Sequence, residues 1–250
     1  MKLSPEERRH RWQQFREMPV SKKAEHIWMY YKIPLILLVC FLFLLASGIR
    51  NAVTQKCPVV YLAYLNISAG EDMDGYLSDG FVSYLGRDPE KEEVYRYYNL
   101  YLSDNPSAEN HQYAYTSNLK LLAAINAKQL DLVLMNKEAY DLCSANGYLL
   151  DLTSLYSSNS PSNADMQALI TENLVIQEDN SIEYNLGEAD SYTAVTTSVA
   201  NAWNVSSLPQ FQQAGFSGNV YLGIIANTPR LEMARQYCAY VLSQTFEEPE

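Results

Sequence analysis

The sequence predicts a layered α/β domain with a largely parallel sheet, carried on an N-terminal transmembrane helix. Three observations predict it. Residues 33–49, IPLILLVCFLFLLASGI, hold no charged side chain. The two hundred residues that follow alternate dense β-type apolar runs with amphipathic helical stretches, the order that builds a parallel sheet covered by helices. Charge divides at the apolar run: residues 1–50 carry nine Lys/Arg and four Asp/Glu, while residues 51–250 carry nine and twenty-five, so a net of −11 separates into +5 and −16.

Seventeen helical residues rise about 26 Å, slightly less than a hydrocarbon core of roughly 30 Å. The preceding Trp28, Met29, Tyr30 and Tyr31 complete a span over 29–49 and suit the lipid–water boundary. Pro34 falls in the first turn, where its missing N–H costs little. Eight cations precede the run, and only Arg50 and Lys56 follow it closely. This asymmetry predicts a cytoplasmic basic tail, residues 1–28, and an extracytoplasmic domain over 57–245, hence a single-pass cell-membrane protein. A cleaved signal peptide is the rival, since Ala46-Ser47-Gly48 resembles a cleavage site. The long preceding segment and the length of the run favour a retained anchor.

Each element of the outer domain has its own signal. Residues 58–67 are apolar and rich in β-branched and aromatic types, a buried strand. In 73–86, Met73, Leu77, Phe81 and Leu85 recur every fourth position, a helix despite its glycines. Residues 93–102 form the second strand and 103–112 a loop. The next helix runs from Ser117, with Thr116 or Ser117 as cap and Leu119, Leu122 and Ile125 sharing a face. Residues 131–136 are a short buried strand, and 137–147 a helix closed by Gly147. Residues 153–215 read as an irregular insertion or a remnant second lobe, with strand-like pieces at LVIQ and SYTAVTTSV. Residues 219–226 are a strand. Asn227-Thr228-Pro229 then opens a last helix with Pro at its first position, placing Leu231, Ala234, Cys238, Val241 and Leu242 on one side.

Composition narrows the chemistry. An acidic outer domain repels phosphate backbones, so nucleic acid is excluded as a partner. His111 is the only histidine beyond the anchor, which excludes a multi-histidine metal site and leaves a triad resting on one loop residue. Glu71-Asp72-Met73-Asp74 could hold a hard cation, but it lacks a calcium-loop pattern and reads as a solvated acidic turn. Ser117-Asn118-Leu119-Lys120 and Ser103-Asp104-Asn105 match penicillin-recognising motifs in the wrong order and without a Lys-Thr-Gly, so they read as coincidence. No enzyme and no cofactor is expected. Cys57, Cys143 and Cys238 have no zinc spacing, and the two on helices read as buried thiols.

One stretch carries a resemblance. Residues 120–152, KLLAAINAKQLDLVLMNKEAYDLCSANGYLLDL, resemble the first lobe of type II periplasmic solute-binding proteins. There a helix ends before a short strand, and a second helix leads into a Gly-Leu-Leu-Asp-Leu-like turn. The closing NVYLGIIANTPRLEMARQYCAYVLSQ resembles the same family's return to that lobe. Glu25 to Lys32, with Tyr30-Tyr31-Lys32 before the anchor, is similar to single-pass membrane proteins of Gram-positive anaerobes with a reduced domain of this kind. The resemblance implies a membrane-anchored binding or accessory protein beside a transporter or other envelope complex, with a small-molecule solute as ligand. The chain departs from the family in having no lipobox cysteine and a middle segment too short for a full second lobe. The alternative is a structural or sensory protein whose outer domain binds a protein partner and no small molecule.

Ligands in open α/β sheets bind beyond the carboxyl ends of the strands. That rule nominates Asn66 and Ser68 after the first strand, Asp104 after the second, and Asn136 and Lys137 after the third. Asn136 reads equally as a plain helix N-cap. The eighteen tyrosines of the outer domain could stack on planar ligands, although half-buried sheet tyrosine is the commoner outcome.

Overall fold

The computed structural model describes residues 56–105, 110–156, 164–178 and 194–243, a helical stretch at 32–34 and 36–47, and isolated positions of the N-terminal tail. The chain divides into two units, Met1–Gln55 and Lys56–Glu250. In the first, residues 36–47 are helical and exposed, with Phe43 at 72% and Leu44 at 67%. Among the described residues no helix is long and apolar enough to cross a membrane. The expected span of 29–49 lies partly outside them, at 29–31, 35, 48 and 49.

The second unit is a six-stranded mixed sheet in the order β2-β1-β3-β6-β5-β4. β1 (Cys57–Leu65) lies between β2 (Glu92–Leu100) and β3 (Leu132–Met135), parallel to both. β6 (Tyr221–Ile224), β5 (Val195–Asn204) and β4 (Ile170–Glu178) then join in antiparallel fashion. The expectation of a largely parallel sheet is therefore corrected: three of the five pairings are antiparallel. The physical reason lies in the connections. Each parallel pairing is reached through a helical crossover, whereas β4 and β5 pair directly with each other and need none.

Both faces of the sheet are covered, and strand alternation sets which residue faces which layer. Val60, Leu62 and Tyr64 of β1, with Leu132, Leu134, Leu222 and Trp203, pack against Phe81, Tyr237, Cys238 and Val241. Ala63, Leu65, Val133, Met135 and Tyr221 pack the opposite layer with Leu121, Ile125, Tyr140 and Cys143. Each fully buried Leu or Val side chain stabilises by about 1.5–3 kcal/mol. Gly223 allows two layers to close up, since a Cβ there would stand 2.9 Å from Leu149 Cδ2 and 3.1 Å from Met135 Cε.

The helix after β1 is one run in three parts: α1 (Glu71–Gly75), a π turn (Tyr76–Gly80) and α2 (Phe81–Tyr84). An every-fourth-residue pattern drifts by about 40° per repeat on a 3.6-residue helix. The wider i→i+5 turn absorbs that drift, and Met73, Leu77 and Phe81 are all buried. Two tyrosines of the last helix, α8 (Leu231–Ser243), hold the π turn: Tyr240 Oη donates to the Tyr76 carbonyl (3.0 Å) and Tyr237 Oη to that of Leu77 (2.8 Å). Gly80 leaves room for this, because a Cβ there would lie 2.5 Å from Tyr240 Oη.

Two helical expectations are corrected. α3 (His111–Asn126) starts six residues before Ser117, which is buried inside it, and Thr116 Oγ1 donates back to the Gln112 carbonyl rather than capping the start. Its buried face is Ala114, Ser117, Leu121, Ala124 and Ile125, while Leu119 and Leu122 are 49% and 38% exposed. Small residues let the helix approach the sheet, and the larger Leu119 and Leu122 are left outside. α8 opens at Leu231, two residues beyond Pro229. Thr228 Oγ1 accepts from the Arg230 N–H and donates to the buried Asp131, so it closes a turn instead of capping a helix. α4 (Lys137–Ala145) matches expectation, ending at Gly147 with φ +67°.

The described part of 153–215 holds α5 (Thr153–Tyr156), α6 (Ala164–Ala168), the β4–β5 ribbon and α7 (Pro209–Gln213). Residues 157–163 and 179–193 lie outside the described residues. The ribbon extends the existing sheet. It is tied to α4 by a buried chain of hydrogen bonds: Tyr140 Oη donates to Asn201 Oδ1 (2.8 Å), Asn201 Nδ2 to Ser144 Oγ (2.8 Å), and Ser144 Oγ to the Leu174 carbonyl (3.0 Å).

Candidate functional site

The loops after the parallel strands enclose an open cleft of about 490 Å³. Asn66, Ile67 and Ser68 after β1, Asn99 to Tyr101 at the end of β2, Tyr113 on α3 and Asn136 before α4 form one side; residues 214–217 after α7 form the other. Three of the five nominated residues, Asn66, Ser68 and Asn136, thus come together here. Asp104 lines a different hollow of about 250 Å³ with Ser103, His111 and Tyr115. Lys137 is turned to Asp141, its i+4 neighbour, and lies 5.6 Å from the centre of the Tyr140 ring. Neither Asp104 nor Lys137 lines the cleft. The strand-end rule places backbone ends well, but a long side chain beside a helical partner turns to that partner.

The roles of the three also differ. Asn66 extends the β1–β2 ladder with its own amide: Oδ1 accepts from Leu102 N–H (2.6 Å), and Nδ2 donates to the Leu102 carbonyl (2.7 Å). Its backbone N–H donates to Leu100 O (2.9 Å). Asn66 is a structural pin. Asn136 Oδ1 accepts from Ala139 N–H (2.9 Å), the N-cap alternative, while its Nδ2 has no partner among the described residues. Ser68 is exposed on the rim.

Asn99, Tyr101, Tyr113, Phe216 and Ser217 were missed by sequence reasoning. Asn66 and Asn99 both sit in the left-handed region, at φ 58° and 56°. Backbone of that kind is uncommon in residues other than glycine and clusters at functional sites. At Asn99 it marks a bulge. Ala63 pairs with Tyr97 and Leu65 with Leu100, so β2 carries one residue more than β1 there. The bulge turns the Asn99 carbonyl outward to accept from Tyr113 Oη. Tyr113 and Tyr101 stack at 6.5 Å between centroids and 19° between planes, a flat aromatic wall. Tyrosines at strand and helix ends were the available signal, but nothing in the spacing pairs Tyr101 with Tyr113.

The cleft is polar and uncharged along its lining, built of amides, hydroxyls and aromatic faces. Such a surface grips by hydrogen bonding and stacking, and offers no nucleophile–base pair. Among the described residues no group of His, Cys, Asp and Glu could hold a metal ion. The acidic turn is broken up: Asp74 accepts from Tyr64 (3.0 Å), Tyr98 and Arg96 (2.7 Å), away from Glu71 and Asp72. Burial, with the Asp74 charge adding to it, raises the Tyr64 phenol well above its ordinary range.

Compared with protein-family models, curated proteins and solved structures, the chain matches none. The cleft geometry therefore carries the functional reading.

Proposed function

We propose that this chain is a non-enzymatic, single-pass membrane protein whose outer α/β domain binds a protein partner through the open cleft at the strand ends. One observation supports this reading above the others: β4 and β5 run on as part of the same sheet. A solute trap needs a second lobe to close over its ligand. Among the described residues the 153–215 segment patches one edge, so the cleft stays open on the partner's side. An open polar surface with an aromatic wall suits a segment of a larger molecule better than a free solute. In this reading the solute-binding lobe is the scaffold. The anchor rests on the uncharged run at 33–49 and the charge asymmetry around it.

The test places a photo-activated cross-linking residue at Ser217 in the full chain, expressed in its own cells. The reading expects one discrete adduct from Ser217 and none from the same group at exposed Glu232. Diffuse labelling at both positions contradicts it. So does a free sugar or amino acid that raises the melting temperature by several degrees, because that would mark a solute as the true ligand.

A further inference from the structure

The two edges of the sheet are finished differently. Midway along β4, the Leu174 N–H donates to Asn173 Oδ1 (2.8 Å), and the Leu174 carbonyl accepts from Ser144 Oγ (3.0 Å). Side chains there occupy backbone groups that a further strand would need. Along β2 nothing comparable occurs. Among the described residues, the backbone of 93–98 pairs with β1 alone, and no side chain takes its outer N–H or C=O groups. The strand EEVYRYYNL holds neither Lys nor Pro, the usual guards of an open edge. Only its far end is closed, where the Asn99 carbonyl accepts from Tyr113 Oη. A row of rings also stops at this edge. Tyr61 is the register partner of Tyr95, with ring centroids 5.4 Å apart, and the Arg230 guanidinium lies 4.6 Å from the centre of the Tyr61 ring. Tyr95, the outermost ring, is 43% exposed.

We propose that β2 is a self-pairing edge: two copies of this chain join antiparallel along it, about a twofold axis at Tyr95, and their sheets become one. The strand's own sequence selects this occupant and this register. A centre at Glu93 sets that carboxylate against its own copy, and a centre at Arg96 sets two guanidinium groups together. Like charges directly opposite destabilise a strand pair. A centre at Val94 pairs only residues 92–96 of the strand. The centre at Tyr95 pairs residues 92–98 and stops short of the bulge at Asn99. Each acidic residue then faces a tyrosine of the second copy, Glu92 opposite Tyr98 and Glu93 opposite Tyr97. Glu92 and Tyr98 are already held by Arg87 and Asp74 and meet only as neighbours. The Glu93 carboxylate and Tyr97 Oη have no hydrogen-bond partner among the described residues, so the phenol donates to the carboxylate across the pair. Tyr95 meets its own copy, and the row of rings runs through the axis from one Arg230 to the other. The net −16 of residues 51–250 repels a second copy elsewhere on the surface, whereas along this edge the carboxylates face phenols.

A strand pair of this length is small beside a standard interface of about 800 Å² per partner, so covalent trapping reads it best. The experiment uses the full chain in detergent micelles, with Cys40→Ser and Cys57→Ser removing the exposed thiols. Mild oxidation of a Tyr95→Cys chain is expected to give a disulfide-linked dimer as the main product. Ile176→Cys, on the β4 edge, should give about tenfold less. Glu93→Cys and Tyr97→Cys chains should each stay monomeric, since like thiols then lie ~13 Å apart along the pair, and should link when mixed. Adding Tyr95→Lys to both members of that mixture should cut the yield about fivefold, because two ammonium groups then meet at the axis. In the unsubstituted chain, raising the protein concentration should slow amide exchange at 93–98 and leave Ile170–Glu178 unchanged. Equal dimer from Tyr95→Cys and Ile176→Cys overturns the proposal, as chance collision then accounts for the link. As much dimer from Glu93→Cys alone as from the mixture overturns the register. Exchange at 93–98 that ignores concentration overturns the pairing with no substitution involved. The Ser217 adduct is read separately, since residues 214–217 take no part in this edge.

Discussion

Asn66 and Asn99 share a backbone conformation and differ in what their side chains do, which makes them separable by mutation. Asn99 tolerates φ 56° because a short polar side chain pays a smaller steric penalty there than most, and glycine pays none. Asn99→Gly is expected within about 0.5 kcal/mol of the parent, while Asn99→Val should cost about 1–2 kcal/mol or more. At Asn66 the amide also makes two bonds to Leu102, so glycine relieves strain and still loses them. Asn66→Gly should destabilise by about 1–2 kcal/mol, and Asn66→Ala by about 1 kcal/mol more. Denaturant midpoints of the four variants decide the matter; equal costs for glycine and alanine at position 66 would remove strain from the explanation. The nomination of Asn66 and Asn136 from strand ends was legible in the sequence, and so was the capping role of Asn136. The pinning of Leu102 by Asn66 was not, because thirty-six residues separate the partners and no local pattern joins them.

At the scale of elements, the short buried strands and the helices flanking β3 were legible because their signals are local. Leu132–Met135 is apolar throughout, and Gly147 supplies a left-handed C′ residue after α4. The buried face of α3 was misread because Leu119 and Leu122 outrank Ala114, Ser117 and Ala124 in hydrophobicity. Space at the sheet decided in favour of the small residues. The ribbon was unreadable for a different reason: its attachment runs through Asn201, Ser144 and Tyr140, polar residues whose value lies in their satisfied contacts. Ser144→Ala should therefore leave Asn201 Nδ2 buried without its acceptor and cost about 1–3 kcal/mol. Amide exchange should quicken first in Ile170–Glu178 and leave β1 and β3 unchanged. Uniform acceleration across the sheet would show that the ribbon is no separate unit of stability.

For the whole molecule, the buried phenols and thiols make a joint prediction about pH. Burial pushes the Cys143 thiol up to about 12 and raises Cys238, Tyr237 and Tyr240 well above their ordinary values. These groups fold as neutral species and keep their protons longer than the unfolded chain does. Where the folded state binds more protons, stability falls as pH rises. Their contribution is complete below the unfolded thiol value of 9.0 and is lost progressively above it. The melting temperature should hold level from pH 7 to about 8.5 and then drop steeply by pH 11. A flat profile to pH 11 would mean that these side chains are not sealed. The fold class was legible at this scale through the alternation of strands and helices, whereas the antiparallel half of the sheet depended on long-range pairings that no window of sequence contains.

The proposed function requires the cleft to lie outside the cell, and Cys57 reports on that directly. It is exposed at the first residue of β1, while Cys143 and Cys238 are buried. A membrane-impermeant maleimide added to intact cells should label the full chain at Cys57, and Cys57→Ser should abolish that signal. Labelling that appears only after lysis would place the domain in the cytosol and contradict the account.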